Sequence, residues 1–183
     1  MNKQVFLDIL EEHGKLGFQE QIDYDKFCLY SIVTHSTAIE GSTMTEIDNQ
    51  LLFDEGLSAK GKSIVEQNMN LDLKAAYERS MELARTHTPF SVGVLKHLSS
   101  LVMRRTGGVV NGMGGSFDSS RGDLRLVNVT AGAGGKTYLN YLKVPQRLAV
   151  FCREMNERRE QLLKQPDVYE QYKLSFDAHL NLV

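Results

Sequence analysis

The sequence predicts an all-α fold that carries one small β-hairpin. From the N-terminus to Met103, apolar residues recur at helical spacing, and no segment alternates between apolar and polar residues as a half-buried strand does. Between Thr106 and Gly135 the composition changes, because nine of the fifteen glycines lie there. Two runs rich in Val, Thr, Leu and Tyr border the last of these glycines, and helical spacing resumes after Pro145.

The composition excludes several classes of function. Hydrophobic residues make up 42% of the chain and charged residues 24%, with a net charge of −2, so nothing favours a nucleic-acid or membrane partner. No apolar run approaches the roughly 18 residues of a membrane span, and the acidic residues near the N-terminus are unlike a signal peptide. Cys28 and Cys152 stand in apolar helical segments, which predicts buried thiols and a reducing, cytoplasmic location.

Three helices are predicted within the first 61 residues. They cover residues 5–13, residues 24–40 and about residues 44–54. Thr43 and Glu46 have the spacing of a capping box, which predicts the start of the third helix. The expected apolar anchors of this third helix are Leu51, Leu52 and Phe53.

Four helices are predicted in the remainder of the chain. They cover residues 63–85, residues 91–103, about residues 146–163 and residues 168–183. Ser91 can cap the second of these helices. In the first of the four, the residues expected to be buried are Leu71, Leu73, Ala75, Tyr77 and Met81.

The segment Ser36-Thr37-Ala38-Ile39-Glu40-Gly41 ends the second helix and carries a poorly placed acidic residue. An anion in the last turn of a helix opposes the negative end of the helix dipole. Gly41 supplies a left-handed stop just beyond it. Glu40 extends a predicted helical face whose earlier members are Leu29, Ile32, Val33 and Ser36. Two interpretations remain open: a functional carboxylate, or a helix-end Glu that faces solvent or pairs with a structural Arg.

Residues 132–137 (GAGGKT) end like a phosphate-binding P-loop but do not fit its full pattern. The first glycine of that pattern is replaced by Thr130, and the residues from Tyr138 onward continue a strand instead of opening a helix. The five histidines show no spacing typical of a metal site, and no Ser or Cys lies in a nucleophile-elbow sequence. The sequence therefore predicts no metal ligand and no catalytic residue.

The predicted hairpin covers about residues 124–142, with its turn at residues 132–135. Such a hairpin has unpaired N–H and C=O groups along its edge, which can hold a protein segment by strand addition. An ordinary surface hairpin is the alternative interpretation. Four residues of this hairpin are predicted to form a docking element: Val127, Val129, Tyr138 and Asn140.

Two of these motifs resemble those of Fic-domain proteins, a family of protein adenylyltransferases. Ser36-x-x-x-Glu40-Gly41 is similar to the inhibitory signature Ser/Thr-x-x-x-Glu-Gly/Asn of the class whose inhibitory helix precedes the catalytic core. Gly122-x-x-Arg125 is similar to the element that precedes the β-hairpin flap in that family, so the resemblance implies that Gly122 and Arg125 also belong to the docking element. The resemblance implies N-terminal helices over residues 1–61, with the inhibitory helix at about 24–40, and an incomplete Fic core over residues 62–183.

The resemblance also implies an activity, which is transfer of AMP from Mg·ATP to a Ser, Thr or Tyr hydroxyl of a protein substrate. In that family the Glu of the inhibitory helix blocks the reaction. The family's catalytic loop reads HPFx(D/E)GNGRxxR, and the sequence ends at Val183, where this loop should begin. His179 lies upstream of that position and is not assigned the catalytic role. We therefore expect the 183-residue chain to be inactive alone, and its status as an enzyme stays open.

An alternative of a different class is a helical interaction module that binds a peptide at the hairpin edge without chemistry. Protection of a longer chain by ATP and Mg²⁺ would separate the two hypotheses. The last helix ends on apolar residues, so association with further copies of the chain is also left open.

Overall fold

The computed structural model describes residues 2–132 and 134–182 and confirms the all-α class with a small β-hairpin. None of the helices in these residues is both long enough and apolar enough to cross a membrane. The α-helices are α1 (Lys3–Lys15), α2 (Phe18–Gln21), α3 (Tyr24–Ile39), α4 (Glu46–Asp54), α5 (Ile64–Arg85), α6 (Val92–Val102), α7 (Val144–Lys164) and α8 (Val168–Leu182). The strands are β1 (Val109–Gly112) and β2 (Gly115–Asp118).

Local capping sets most helix starts where the sequence predicts them. Ser63 begins α5 in a capping box with Glu66, and Ser91 caps α6. Helix α4 differs, because its capping box uses Thr45 and Asp48 and not the predicted Thr43 and Glu46. The physical reason is competition. The backbone N–H and the hydroxyl of Thr43 both donate to Glu66, so Thr43 is not available as a cap.

The regular hairpin lies earlier in the chain than the sequence predicts. Strands β1 and β2 pair antiparallel at residues 109–118. Within the described part of residues 124–142, the strand pairing is the isolated bridge between Thr130 and Thr137. Hydrogen bonds from Ala131 N to Lys136 O (2.9 Å) and from Tyr138 N to Val129 O (3.2 Å) flank it. The predicted turn includes position 133, which lies outside the described residues.

Helix α5 lies at the centre of the structure and contacts α3 and α4 as well as α6. Helix α6 packs on α7, and α7 packs on α8. One apolar cluster joins α4 to α5, and its buried members are Met44, Leu52 and Ala59. A second cluster joins α6, α7 and α8, and its buried members are Phe151, Cys152 and Met155. Burial raises the pKa of the Cys152 thiol, whereas Cys28 is only partly buried.

The first and last helices pack together through aromatic side chains. The ring of Phe6 lies edge-on to Tyr169 and Tyr172, with centroids 5.4 and 5.1 Å apart. Lys3 pairs with Asp167 beside this contact.

The buried face of α5 is polar, which corrects the sequence prediction. Gln67, Asn70 and Asp72 are buried along with Ala76, whereas the five apolar residues predicted to be buried are only partly so. Asp72 accepts a hydrogen bond from the backbone N–H of Arg105 at 2.6 Å and pairs with its guanidinium. The helix therefore contacts its neighbours through directed polar bonds as well as apolar surface.

Glu66 connects the segment after α3 to the start of α5. One carboxylate oxygen accepts from the N–H and the hydroxyl of Thr43, both at 2.8 Å. The other accepts from the N–H of Ser63 at 2.9 Å and from its hydroxyl at 2.8 Å. These four hydrogen bonds to the charged form lower the pKa of Glu66 from 4.5 to about 2.

The lowered pKa of Glu66 predicts a specific pH dependence of stability. The bonds stabilise the folded state fully above the ordinary pKa of 4.5, and this contribution is lost as the pH falls toward 2. We expect wild type to lose more stability than Glu66→Gln between about pH 5 and about pH 3, measured by urea unfolding at both pH values. Equal losses in the two proteins would contradict this assignment.

Candidate functional site

The end of α3 forms a complete helix stop around Glu40. Glu40 is the C-cap residue, and Gly41 follows it with a φ of +93°. Gly41 N donates to Ala38 O and Ser42 N donates to Thr37 O, both at 3.0 Å. These two bonds are the pair that defines a Schellman motif, and they need a glycine-like conformation at residue 41.

The orientation of α3 differs from the sequence prediction. Its buried side chains are Val33, Thr34 and Thr37, whereas Ser36 and Glu40 are exposed. Ser36 lies one residue before the buried Thr37, which is about 100° around the helix, and Glu40 lies four residues after Ser36 on the same exposed face. Among the described residues, the Glu40 carboxylate has no hydrogen-bond or ion-pair partner. It is therefore open to a partner that approaches the exposed face of α3.

A fully buried amide, Asn70 of α5, lies beneath this helix end. Its Oδ1 accepts from Thr37 Oγ1 and from Asn49 Nδ2, both at 2.9 Å. Its Nδ2 donates to Ser42 Oγ at 3.1 Å and to Glu66 O at 2.8 Å. All four hydrogen-bonding positions of the Asn70 amide thus have partners, contributed by α3, the segment after it, α4 and α5.

Asn49 of α4 extends this network. It is also fully buried, and its Nδ2 donates to Thr34 Oγ1 at 2.8 Å as well as to Asn70. Sequence analysis did not identify either asparagine. The signal was their position inside strongly helical segments, where Asn is unfavourable unless its amide is bonded. We name the set Thr34, Thr37, Ser42, Asn49 and Asn70 the amide network.

Gly122, the first residue of the predicted docking element, seats the following loop on α6. It is buried with a φ of +70°, and a Cβ built there would lie 1.9 Å from the backbone oxygen of Lys96. Only a glycine allows this approach without moving the backbone.

Arg125 clamps the two arms of residues 124–142. One guanidinium nitrogen donates to Val127 O at 2.8 Å, and another donates to Leu139 O on the opposite arm. Asn140 has a local role, because its side chain accepts from Leu142 N at 3.0 Å and caps a short 3₁₀ turn. Gly122 and Arg125 therefore position the loop.

The β1–β2 hairpin supports the same loop from the other side. A Cβ on Gly114 would lie 2.5 Å from Leu126 O, and one on Gly112 would lie 2.6 Å from a methyl group of Val127. The glycines of the hairpin thus allow direct contact with the first arm of the loop. The sequence offered little signal for this hairpin, because glycines interrupt its short strands.

A cavity of about 310 Å³ separates the loop from α7 and α8. Arg147 Nη2 donates to Asn181 Oδ1 across it at 3.3 Å. The predicted residues Arg125, Val129 and Tyr138 share this cavity, so the structure brings three members of the docking element together. The cavity combines guanidinium groups with the apolar side chains of Leu148, Phe151 and Leu182.

The predicted residues thus form two separate groups. Within residues 2–132 and 134–182, no hydrogen bond or ion pair joins Ser36, Glu40 and Gly41 to the docking element around Arg125. The described residues hold no cluster of three His, Cys, Asp or Glu side chains that could bind a metal ion. Thr137 pairs with Thr130 where a P-loop would require the start of a helix.

Gly122→Ala should destabilise the protein more than Gly132→Ala. Both glycines have a φ near +70°, so both variants strain the backbone alike, but a Cβ at Gly132 meets nothing within 4 Å. We expect Gly122→Ala to cost about 1–3 kcal/mol more because it forces the loop off α6. Paired thermal and urea unfolding measure the difference, and equal stabilities would show that the loop yields without cost.

No protein-family model matches the chain. The curated proteins likewise give no match. Among solved structures, the chain is similar to Fic-1 (aa134 - 508) from C. elegans, with 21% sequence identity and a TM-score of 0.48. The similarity covers 70% of this chain and 34% of that one, so this chain spans about a third of that structure's length. A likeness at this identity and TM-score does not assign a family to the chain.

Proposed function

We propose that this chain is the N-terminal portion of a Fic-type protein adenylyltransferase, in which α3 is the inhibitory helix. The reaction is transfer of AMP from ATP to a hydroxyl side chain of a protein substrate. Mg²⁺ and the ATP phosphates would be held by the family's catalytic loop. This chain contributes regulation and docking of the protein substrate.

The observation that supports the proposal is the exposed, unpartnered environment of the Glu40 carboxylate. Its carboxylate is exposed and unpaired among the described residues, at the negative end of a helix, where an anion is unfavourable. The backbone beneath it is nevertheless fixed by a Schellman motif and the amide network. A rigidly presented, unpartnered carboxylate fits a group that binds a cation supplied by another segment.

In the proposed mechanism Glu40 accepts hydrogen bonds from an arginine of the catalytic loop. A carboxylate and a guanidinium form a charge-assisted, often bidentate pair. While this pair persists, the arginine is unavailable to the terminal phosphate of ATP, and the geometry needed for transfer is lost. Loss of the carboxylate should therefore activate the protein.

The exposed backbone of the 124–142 loop supports the docking role. The hydrogen bonds that flank the Thr130–Thr137 bridge make this a non-hydrogen-bonded pair, so the N–H groups of both residues point away from the loop's two arms. An extended segment of a substrate can add to either edge through these groups.

Glu40→Gly should raise self-labelling by about tenfold or more in a polypeptide where this chain continues into the catalytic loop. A hydrogen bond to a charged group is worth about 1.5–3 kcal/mol, and its loss releases the arginine. Incorporation of label from α-labelled ATP measures the effect. The matched control is Glu55→Gly, because Glu55 is also an exposed C-cap Glu followed by a left-handed glycine, Gly56.

Equal labelling of wild type and Glu40→Gly would refute the inhibitory role of Glu40. Activation by Glu55→Gly to the same degree would indicate a general effect of destabilised helix ends. If no variant is labelled, the alternative of a helical interaction module without chemistry is favoured.

Thr130→Pro and Thr137→Pro test the two edges of the docking loop. Each removes an outward N–H without removing the Ala131–Lys136 or the Tyr138–Val129 bond. We expect one of the two variants to lower modification of a protein substrate about fivefold, with ATP binding unchanged. Thr130→Val and Thr137→Val keep the N–H and serve as controls. Unchanged modification in both proline variants would refute strand addition at this loop.

A further inference from the structure

The residues on both sides of Glu40 are bonded to one side chain. Thr37 precedes Glu40 by three residues and donates to Asn70 Oδ1, and Ser42 follows it by two residues and accepts from Asn70 Nδ2. Thr37 and Ser42 are also the two ends of the longer bond of the Schellman motif. Residues 37–42 therefore form a short arch that carries Glu40 and Gly41. We call Thr37 and Ser42 the two feet of the arch, and both are bonded to Asn70.

Apolar packing alone does not fix this arch. The buried side chains of α3 within the described residues are Val33, Thr34 and Thr37, so the last turn contacts α5 through a hydroxyl. Apolar contacts tolerate sliding and rotation, whereas a buried amide with four partners has one satisfactory arrangement. A small rotation of α3 would break the bond from Thr37 to Asn70. The Thr37 hydroxyl would keep its contacts within α3, but the buried Asn70 Oδ1 would lose one of its two donors, which is costly.

We infer that Asn70 is a positioning residue that sets where α3 presents the Glu40 carboxylate, acting through Thr37 and Ser42. The inference rests on the proposed function, in which that carboxylate restrains the catalytic arginine. Weakening either foot of the arch then lets the carboxylate move out of place and releases part of the inhibition, although Glu40 itself is unchanged. The network becomes a determinant of basal activity.

The chain offers a matched set of mild variants. Thr37→Val and Ser42→Ala each remove one foot and leave the Asn70 amide in place. Thr34→Val is the control, because Thr34 is a buried threonine on the same helix whose hydroxyl bonds Asn49 and not Asn70. Each of the three variants removes a buried hydroxyl and its bond to an asparagine of the amide network. Thr37→Val also removes contacts with Val33 O and Thr34 O, and Ser42→Ala also removes the bond from Met44 N, so the exchange of each variant is compared with its own loss of stability in urea.

Amide hydrogen exchange of the 183-residue chain gives a readout that does not need catalysis. We expect exchange at Glu40, Gly41 and Ser42 to accelerate about fivefold in Thr37→Val and Ser42→Ala relative to Thr34→Val. These amides donate to Thr37 O and Ala38 O within the arch, so they report on it directly. Equal exchange of the three amides in all three variants would overturn the inference.

Self-labelling in the polypeptide that carries the catalytic loop gives the functional readout. Thr37→Val and Ser42→Ala should raise labelling about fivefold, Thr34→Val should not, and none should raise it further in a Glu40→Gly background. If Glu40→Gly activates but Thr37→Val and Ser42→Ala do not, the positioning role is wrong while the proposed function stands. If exchange responds but Glu40→Gly does not activate, the proposed function fails and the structural role of Asn70 stands.

Discussion

The structure of the N-terminal half depends on the hydrogen bonds of one buried amide. A carboxamide removed from water must find partners for two donors and two acceptors, or the folded state loses stability. Asn70 meets this requirement only when α3, α4 and α5 take one mutual arrangement. The mutual arrangement of these three helices is therefore specified by directed hydrogen bonds, in a region where the apolar cluster is small. Glu66 reinforces the same arrangement one turn earlier on α5.

The region between α6 and α7 is held by a different means. It has few ladder bonds within its described residues, and its position depends on backbones that approach one another closely. Gly122 lets the loop touch α6, and Gly114 lets the hairpin touch the loop. Arg125 then joins the two arms through their carbonyl oxygens. Positioning by glycine contacts and one guanidinium leaves the outer backbone groups free, which is what a docking surface for an extended segment requires.

The sequence predicts structure that is set by neighbouring residues and misses structure that is set by distant ones. The start of α5 at Ser63, the cap at Ser91 and the stop at Gly41 are set by neighbouring residues, and all three lie where predicted. The capping role of Thr43 was predicted wrongly, because the residue that engages it, Glu66, is 23 residues away. Glu40 was placed on the predicted apolar face of α3, but that face is exposed at Ser36 and Glu40. The buried face contains Thr34 and Thr37, which an apolar pattern does not identify. The roles of Asn49 and Asn70 appear only when three helices are assembled.

The weak pairing of the 124–142 loop affects where the protein opens locally. Its described backbone pairing consists of the short bonds around the Thr130–Thr137 bridge, and its side-chain clamp is Arg125. Because the loop has so little pairing, its free energy of opening is lower than the free energy of unfolding the helices. The helices unfold only when their buried apolar clusters are disrupted. We therefore expect the loop to open locally at a lower free energy than the helical body.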